Sequence, residues 1–341
     1  MPARPRSLLI ITDAWYPQVN GVVRSVDKIA GELRALGITV ELITPADFRT
    51  IPMPGYSEIG LSLTTRGPVI RRIEAIRPDA IHIATEGPLG LIARNYCVKH
   101  KLPFSTAYHT QFPEYLRARV PVPLRLSYWM IRWFHRPATA CLVGTPYLKA
   151  MLVEHGFRNV DVWTKGVDTK LFSPDKRVPL PYSKPVFLYV GRVSVEKNIE
   201  AFLKLDLPGT KLVVGDGPSL AQLKKKYPAA VFLGAQHNGE LSGCYASADV
   251  FVFPSRTDTF GLVLLESLAS GVPVAAYPVT GPIDVIGDAP VGVLHNDLRT
   301  AALKALELPR DGCRAYAEGY SWAVSAEQFL KFQPLIDWRT A

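Results

Sequence analysis

At 341 residues the chain is long for one hydrophobic core and comfortable for two domains of about 150 to 180 residues each. A hydrophobic content of 48% with 10% aromatics excludes a disordered or fibrous polypeptide, and four dispersed cysteines, Cys97, Cys141, Cys244 and Cys313, with no C-x-x-C pair, suggest neither a zinc site nor a disulfide framework. The net charge of +9 is lopsided: through Asp175 there are 22 Lys and Arg against 14 Asp and Glu, +8, with +1 beyond, so the basic field of the first half suits a nucleic acid, an anionic lipid surface or a phosphorylated acceptor.

The first seven residues are basic, but the apolar run from Leu8 to Ile11 is too short for the core of a signal peptide. No run approaches the length of a membrane span, and a cytoplasmic protein is expected. Short apolar runs at 7–12, 39–44, 80–84, 104–108 and 140–144 alternate with helical patterns, and the pattern restarts at 186–190, 211–214, 231–233, 250–253 and 272–276. Buried runs between helices imply parallel sheets, and the doubling predicts two doubly wound α/β units with ligand loops at the strand C-termini, facing each other across a cleft. The expected division is an N-terminal domain at 1–170, a Pro-rich linker at 171–184, a C-terminal domain at 185–319 and a closing helical segment at 320–341 that can cross back onto the first domain.

Candidate functional residues cluster after the strands. The loop Asp13-Ala-Trp-Tyr-Pro-Gln-Val-Asn20-Gly21-Val22 leads into a helix, and Gly21 there lets backbone approach a bound anion; Pro17 and Gly21 making an ordinary turn is the plainer alternative. In Tyr108-His109-Thr-Gln-Phe-Pro-Glu-Tyr115, His109 stands at a strand end, placed to bond a sugar hydroxyl or share developing charge; the other six histidines have no comparable placement. Arg117 and Arg119 precede a segment between Pro121 and Pro137 in which Arg125, Trp129, Arg132 and Arg136 share one helical face, while Leu124, Tyr128 and Ile131 share the neighbouring one. That basic, aromatic face fits an anionic membrane and a lipid acceptor; the competing reading packs the helix beside the sheet with Trp133 and Phe134 in the core.

In the second half, Gly191-Arg192 with Lys197 places two cations at a loop-to-helix junction, where a diphosphate leaving group can be neutralised. Gly215-Asp-Gly217-Pro218 is not a dinucleotide fingerprint, since the third glycine is missing. The stretch from Ser255 to Pro273 sets Asp258 and Glu266 eight positions apart across Gly261. Thr257, Asp258 or Thr259 would cap the helix, and Glu266 inside it can accept hydrogen bonds from two ribose hydroxyls; the alternative is an ordinary capped helix with Leu262, Leu265 and Leu268 buried and Glu266 solvated. No D-x-D pair exists in the chain, so a cationic clamp without a metal ion is the expectation. Zinc-finger, KH and RRM signatures are absent, and no nucleic-acid partner is expected.

Taken together, Asn20-Gly21-Val22, the Tyr108 to Tyr115 run, Gly191-Arg192 with Lys197, Gly215-Asp-Gly-Pro218 and Asp258-Thr-Phe-Gly with Glu266 resemble the retaining glycosyltransferases of family GT4. The likeness runs from residue 7 to about 333, nearest the α-mannosyltransferase, sulfoquinovosyltransferase and glycolipid-forming members. It implies a GT-B fold of two Rossmann-like domains, the donor on the second and the acceptor on the first. By match, Arg192 and Lys197 hold the diphosphate and Glu266 the ribose. Asp258 with Phe260, Gly261 and Leu262 meets the transferred sugar, Gly21 approaches the diphosphate and His109 lies near the reacting carbon. The pattern departs from the family in having Asp258 where many members carry Glu, Thr280-Gly281-Pro282 in place of a Gly-Gly turn, and Ala323 after the closing Ser-Trp.

The expected activity is metal-independent transfer of glucose, glucuronate or mannose from a UDP- or GDP-sugar to a membrane-associated lipid such as diacylglycerol, by a peripheral enzyme at the inner face of the cytoplasmic membrane. The alternatives are a soluble poly- or oligosaccharide glycosyltransferase and a nucleotide-sugar-binding protein without turnover. A dinucleotide oxidoreductase is disfavoured by the missing glycine.

Overall fold

The computed structural model of the protein describes all residues except 1–3, 19–20, 54–55, 110–122, 257, 259 and 340–341. Two compact units are present, the first made of Met1–Lys165 with Trp322–Ala341 and the second of Gly166–Ser321.

In the first unit the chain runs β1 (Ser7–Ile11), α1 (Gly21–Ala35), β2 (Thr39–Ile43), a hairpin of β3 (Arg49–Met53) and β4 (Tyr56–Leu63), α2 (Arg66–Ile76), β5 (Ala80–Ile83), α3 (Pro88–Lys99), β6 (Ser105–Tyr108), α4 (Leu124–His135), β7 (Ala140–Val143), α5 (Pro146–Glu154) and β8 (Val160–Val162). Apart from the antiparallel hairpin, the strands form one parallel sheet in the order β2-β1-β5-β6-β7-β8. Leu8 to Ile11 of β1 are all buried, as helices on both faces of a parallel sheet require. In α1 the buried Val23, Val26, Ile29, Ala30 and Leu33 recur at helical spacing and face the sheet.

The second unit runs β9 (Val186–Val190), α6 (Ile199–Leu203), β10 (Thr210–Val214), α7 (Leu220–Lys226), β11 (Val231–Gly234), α8 (Asn238–Ser247), β12 (Val250–Phe253), α9 (Leu262–Ala269), β13 (Val274–Ala276), α10 (Thr280–Val285), β14 (Gly292–Leu294), α11 (Leu298–Ala305) and α12 (Arg310–Glu318). Its parallel sheet has the order β11-β10-β9-β12-β13-β14. Strand order reverses between β9 and β12 here and between β1 and β5 in the first unit. Those reversals splay the loops at the carboxyl ends and open a crevice where open α/β sheets hold ligands.

One expected segment needs correction. The stretch 171–184, read as a linker, packs into the second unit: Phe172 is buried in its core, the Ser247 hydroxyl bonds both the N–H and the carbonyl of Val178, and Arg314 donates to the carbonyls of Thr169, Phe172 and Ala269. The hairpin β3/β4 and the three-residue edge strands β8 and β14 carry no sequence expectation, being too short or too polar to show an apolar run. The closing helix α13 (Trp322–Leu330) belongs to the first unit, where Phe329 packs against His82 and Trp163. All four cysteines are buried and free. Among the described residues no helix is long and apolar enough to cross a membrane.

Candidate active site

In the second unit the candidate residues gather where the strand order reverses. Near the end of β9, Tyr189 donates its buried hydroxyl to the carbonyl of Arg192 at 2.8 Å, bracing the loop that carries the exposed Arg192 side chain. A single 3₁₀ turn, Val195–Lys197, then brings Lys197 against Asp258, which follows β12; its ammonium pairs with Asp258 Oδ1, while Oδ2 is buried and has no partner among the described residues. Asn198, in the left-handed region at φ +53°, ties the same two loops by donating its side-chain amide to the carbonyl of Pro254 at 3.0 Å. Sequence reasoning assigned Lys197 to the diphosphate and Asp258 to the sugar as separate groups. The fold makes them one ion pair, so an anionic ligand at Lys197 meets a cation already balanced by a carboxylate.

The cap also differs from expectation. Helix α9 is opened by Gly261 at φ +81° with no side-chain cap, so Asp258 is not the cap and its carboxylate is given to Lys197 instead; Thr257 and Thr259 lie outside the described residues. Within the first turn the Leu264 N–H bonds the Gly261 carbonyl at 2.9 Å, so the turn is closed by backbone rather than by a side chain. Phe260 is buried against Leu264 and Phe253 in the core, which fixes the turn. Glu266 is not solvated: it is 7% exposed and its Oε2 accepts from the Tyr245 hydroxyl at 2.9 Å.

The glycines of Gly215-Asp-Gly-Pro218 have a purely architectural cause. A Cβ on Gly215, at φ +140°, would stand 1.9 Å from the Gly191 carbonyl oxygen, and one on Gly217 2.4 Å from that of Val193. The close approach lets the loop after β10 bond to the loop after β9 through Val193 N–H to Asp216 O at 2.9 Å. Gly281, in the turn that departs from the family pattern, lies 3.0 Å under the carbonyls of Asp258 and Phe260 by the same measure.

In the first unit, Asp13 is a structural residue. Its carboxylate accepts from the N–H groups of Leu89 at 2.8 Å and Gly90 at 3.1 Å and from Thr85 Oγ1 at 3.0 Å, capping α3 and joining the loops after β1 and β5; burial raises its pKa despite these donors. Gly21 opens α1 with nothing within 4 Å of where a Cβ would stand, so nothing in the described fold requires glycine there.

His109 follows β6 and is half-buried. Lys165, just past β8 and 8% exposed, donates from Nζ to His109 Nδ1 at 3.1 Å and lies 4.1 Å above the Trp163 ring. His109 Nε2 is buried and has no partner among the described residues. Contrary to expectation, other histidines share its setting. His82 on β5 is 2% exposed; because Ser105 donates its hydroxyl to Gln333 Oε1, it accepts from His82 Nδ1–H at 2.7 Å, which leaves His82 Nε2 a bare acceptor. Burial, helped by the Lys165 charge, pushes His82 down to about 3, and burial with the charges of Lys165, His82 and His135 holds His109 well below the usual histidine range. Burial alone lowers Lys165 to about 7. His135 goes the other way: burial opposes its charge, but neighbouring Cys141 and Glu86 raise it to about 10, consistent with its bonds to Thr106 Oγ1 and Glu86 Oε1. Lys165, Trp163 and His82 were missed because they attach to a three-residue edge strand and to a strand interior that reads as plain core.

On α4, Trp129 is 55% exposed and Arg125 and Arg136 are exposed, whereas Arg132 donates to the His155 carbonyl at 2.8 Å and is held by the fold. Phe134 is core, but Trp133 is exposed beneath the Arg94 guanidinium, 3.8 Å from its ring centre. Arg117 and Arg119 lie outside the described residues.

Two Rossmann-like units, each built on a six-stranded parallel sheet, define the GT-B glycosyltransferase fold as a class. The solved Anabaena Alr3699/HepE structure, in complex with UDP and glucose, matches with TM-score 0.68 over 95% of this chain and 98% of that one, at 16% identity. Residues 19–171 match the model of Glycosyltransferase Family 4 and residues 174–306 that of Glycosyl transferases group 1. A GDP-mannose-dependent alpha-mannosyltransferase of Mycobacterium tuberculosis is 31% identical over 94% of both chains. Sulfoquinovosyl transferase SQD2 of Arabidopsis thaliana is 30% identical over 97% of this chain and 74% of its own, and an alpha-monoglucosyldiacylglycerol synthase of Streptococcus pneumoniae 26% identical over 94% and 83%. The chain belongs to glycosyltransferase family 4 and is a transferase enzyme.

Proposed function

We propose that the protein is a retaining hexosyltransferase that moves glucose, glucuronate or mannose from a UDP- or GDP-sugar to a membrane-associated lipid such as diacylglycerol. The observation that supports the reading is the Lys197–Asp258 ion pair joining the loops after β9 and β12, with Arg192 exposed on the first of those loops: a cation and a carboxylate together suit a departing diphosphate and a sugar hydroxyl. Gly21, open toward solvent at the head of α1, suits close approach of a phosphate to helix N–H groups.

In the proposed step the bond between the anomeric carbon and the donor phosphate oxygen breaks, and the nucleoside diphosphate leaves with the electron pair. The acceptor hydroxyl adds from the same face, and its proton passes to the departing phosphate oxygen. Arg192 and Lys197 absorb the charge released, Glu266 accepts from the ribose hydroxyls, Asp258 with the Phe260-Gly261-Leu262 turn holds the hexose, and His109 Nε2 bonds the sugar. The relatives named for GDP-mannose and for diacylglycerol support the choice of donor and acceptor classes. The exposed aromatic and basic face of α4 supports peripheral attachment to an anionic cytoplasmic membrane surface.

The test is incubation of the pure protein with UDP-glucose, UDP-glucuronate and GDP-mannose, each with and without diacylglycerol vesicles. One donor should yield an organic-soluble α-glycolipid with full activity in chelator. Product that stays in water rejects the lipid acceptor, inverted product rejects retention, and activity that requires added magnesium or manganese rejects the cationic clamp.

A further inference from the structure

We infer that Lys165 is the positioning residue of His109, its ammonium donating to Nδ1 so that the ring carries its proton on Nε2 and offers a hydrogen-bond donor to the transferred sugar. The inference rests on the proposed role of His109 at that sugar.

Three observations carry it. The Nζ to Nδ1 distance of 3.1 Å is a hydrogen bond, and an ammonium has only donors, so Nδ1 must be the acceptor. A neutral imidazole that accepts at one nitrogen holds its proton at the other, and that other nitrogen, Nε2, is the buried atom with no partner among the described residues. Lys165 itself is buried over Trp163, with no carboxylate paired to it among the described residues. Burying an ammonium without a counter-ion costs stability that an apolar side chain of the same length would not, so packing alone does not account for a lysine here.

The same geometry makes the bond sensitive to pH. The titratable groups around the pair are His82 from β5 and His135 from α4 with its partner Glu86. Burial pushes His82 down to about 3 and holds His109 well below its ordinary value, Cys141 and Glu86 raise His135 to about 10, and burial lowers Lys165 to about 7. When Lys165 loses its proton, the Nζ amine no longer obliges Nδ1 to accept, and His109 ceases to be a fixed donor.

The experiment is ¹⁵N NMR of the full-length protein with labelled histidine, His109 being assigned by its loss in His109→Gln. In the wild type, His109 should be the Nε2–H tautomer, with an Nδ1 resonance that moves at a midpoint of about 7 while the ring stays neutral. In Lys165→Met that resonance should be flat with pH, kcat should fall by roughly tenfold or more, the scale lost when an orienting partner is removed, and KM for the donor sugar should hold. A wild-type ring protonated at Nδ1, or an Nδ1 resonance unmoved through that range, overturns the inference alone, and the wild-type spectrum decides this even if Lys165→Met does not fold. Turnover unchanged in His109→Gln overturns the reading of His109 and the inference with it.

Discussion

At the residue scale Lys197 and Asp258 come first, because they are paired through Asp258 Oδ1 before any ligand arrives, while Oδ2 has no partner among the described residues. Both side chains are partly shielded, 29% and 21% exposed, so truncating one leaves the other's charge poorly solvated. Lys197→Ala should lower turnover by roughly two to three powers of ten, the loss typical of removing one donor to developing charge, and should also lower the unfolding temperature because Asp258 is orphaned. Near-normal kcat with a lowered melting point would make the pair structural only. His82 gives a second expectation, with a definite sign. Its folded pKa of about 3 lies below its ordinary 6.5, so between those values the unfolded chain binds a proton that the folded chain refuses. Stability is therefore full above 6.5 and is lost as pH falls toward 3. Urea midpoints of the wild type should drop on acidification through that window more than those of His82→Gln, and equal drops would show that His82 does not titrate differently on folding. Arg192, Lys197 and Asp258 stood out in sequence because each follows a strand, and Glu266 because it lies inside the helix that comes next. Their pairing was not, since Lys197 and Asp258 stand 61 positions apart and meet only because β9 and β12 are neighbours in the sheet.

At the scale of elements, glycines separate architecture from ligand contact. The loops after β9 and β10 interlock so closely that Gly215 has no room for a Cβ and holds a backbone angle L-residues avoid. Gly215→Ala should destabilise the second unit by more than about 3 kcal/mol, since the obstacle is backbone and cannot rotate away. Gly21→Ala meets open space in the protein and should leave the melting temperature within about a degree, an effect on the scale of a neutral surface change, while raising KM for the nucleotide sugar. If both variants lose only stability, or Gly21→Ala binds donor normally, Gly21 does not face the phosphate. The central strands were readable because helices cover both faces and leave unbroken apolar runs such as Val186 to Val190. Edge strands Val160–Val162 and Gly292–Leu294 bury less and carry no such run, which is why Trp163 and Lys165 behind the first of them drew no notice in sequence.

For the whole molecule the charge of the two halves is unequal, +8 through Asp175 and +1 beyond, and the basic half includes the exposed Arg125 and Arg136 on and just after α4. The inner face of that helix, Tyr128, Ile131 and Phe134, is consumed by the core, and yet Leu126, Trp129, Met130 and Trp133 remain about half exposed on its outer side. So much apolar surface beside the exposed Arg125 and Arg136 is costly in water and favourable at a lipid headgroup layer, where aromatic rings insert and each basic side chain near an anionic surface contributes about 1 kcal/mol. Replacing both arginines by glutamate removes two attractions and adds two repulsions. Flotation with anionic vesicles should fall by more than about tenfold, with binding to zwitterionic vesicles little changed and the melting temperature unmoved, because among the described residues neither arginine side chain is bonded to the fold. Trp129→Ser should weaken binding to both kinds of vesicle, since its share is apolar rather than electrostatic. Arg132→Glu is the internal control: Arg132 is bonded to the His155 carbonyl, so its reversal should cost stability before it costs membrane binding. Flotation that ignores the Arg125→Glu, Arg136→Glu pair would leave the basic half of the chain without a membrane to meet.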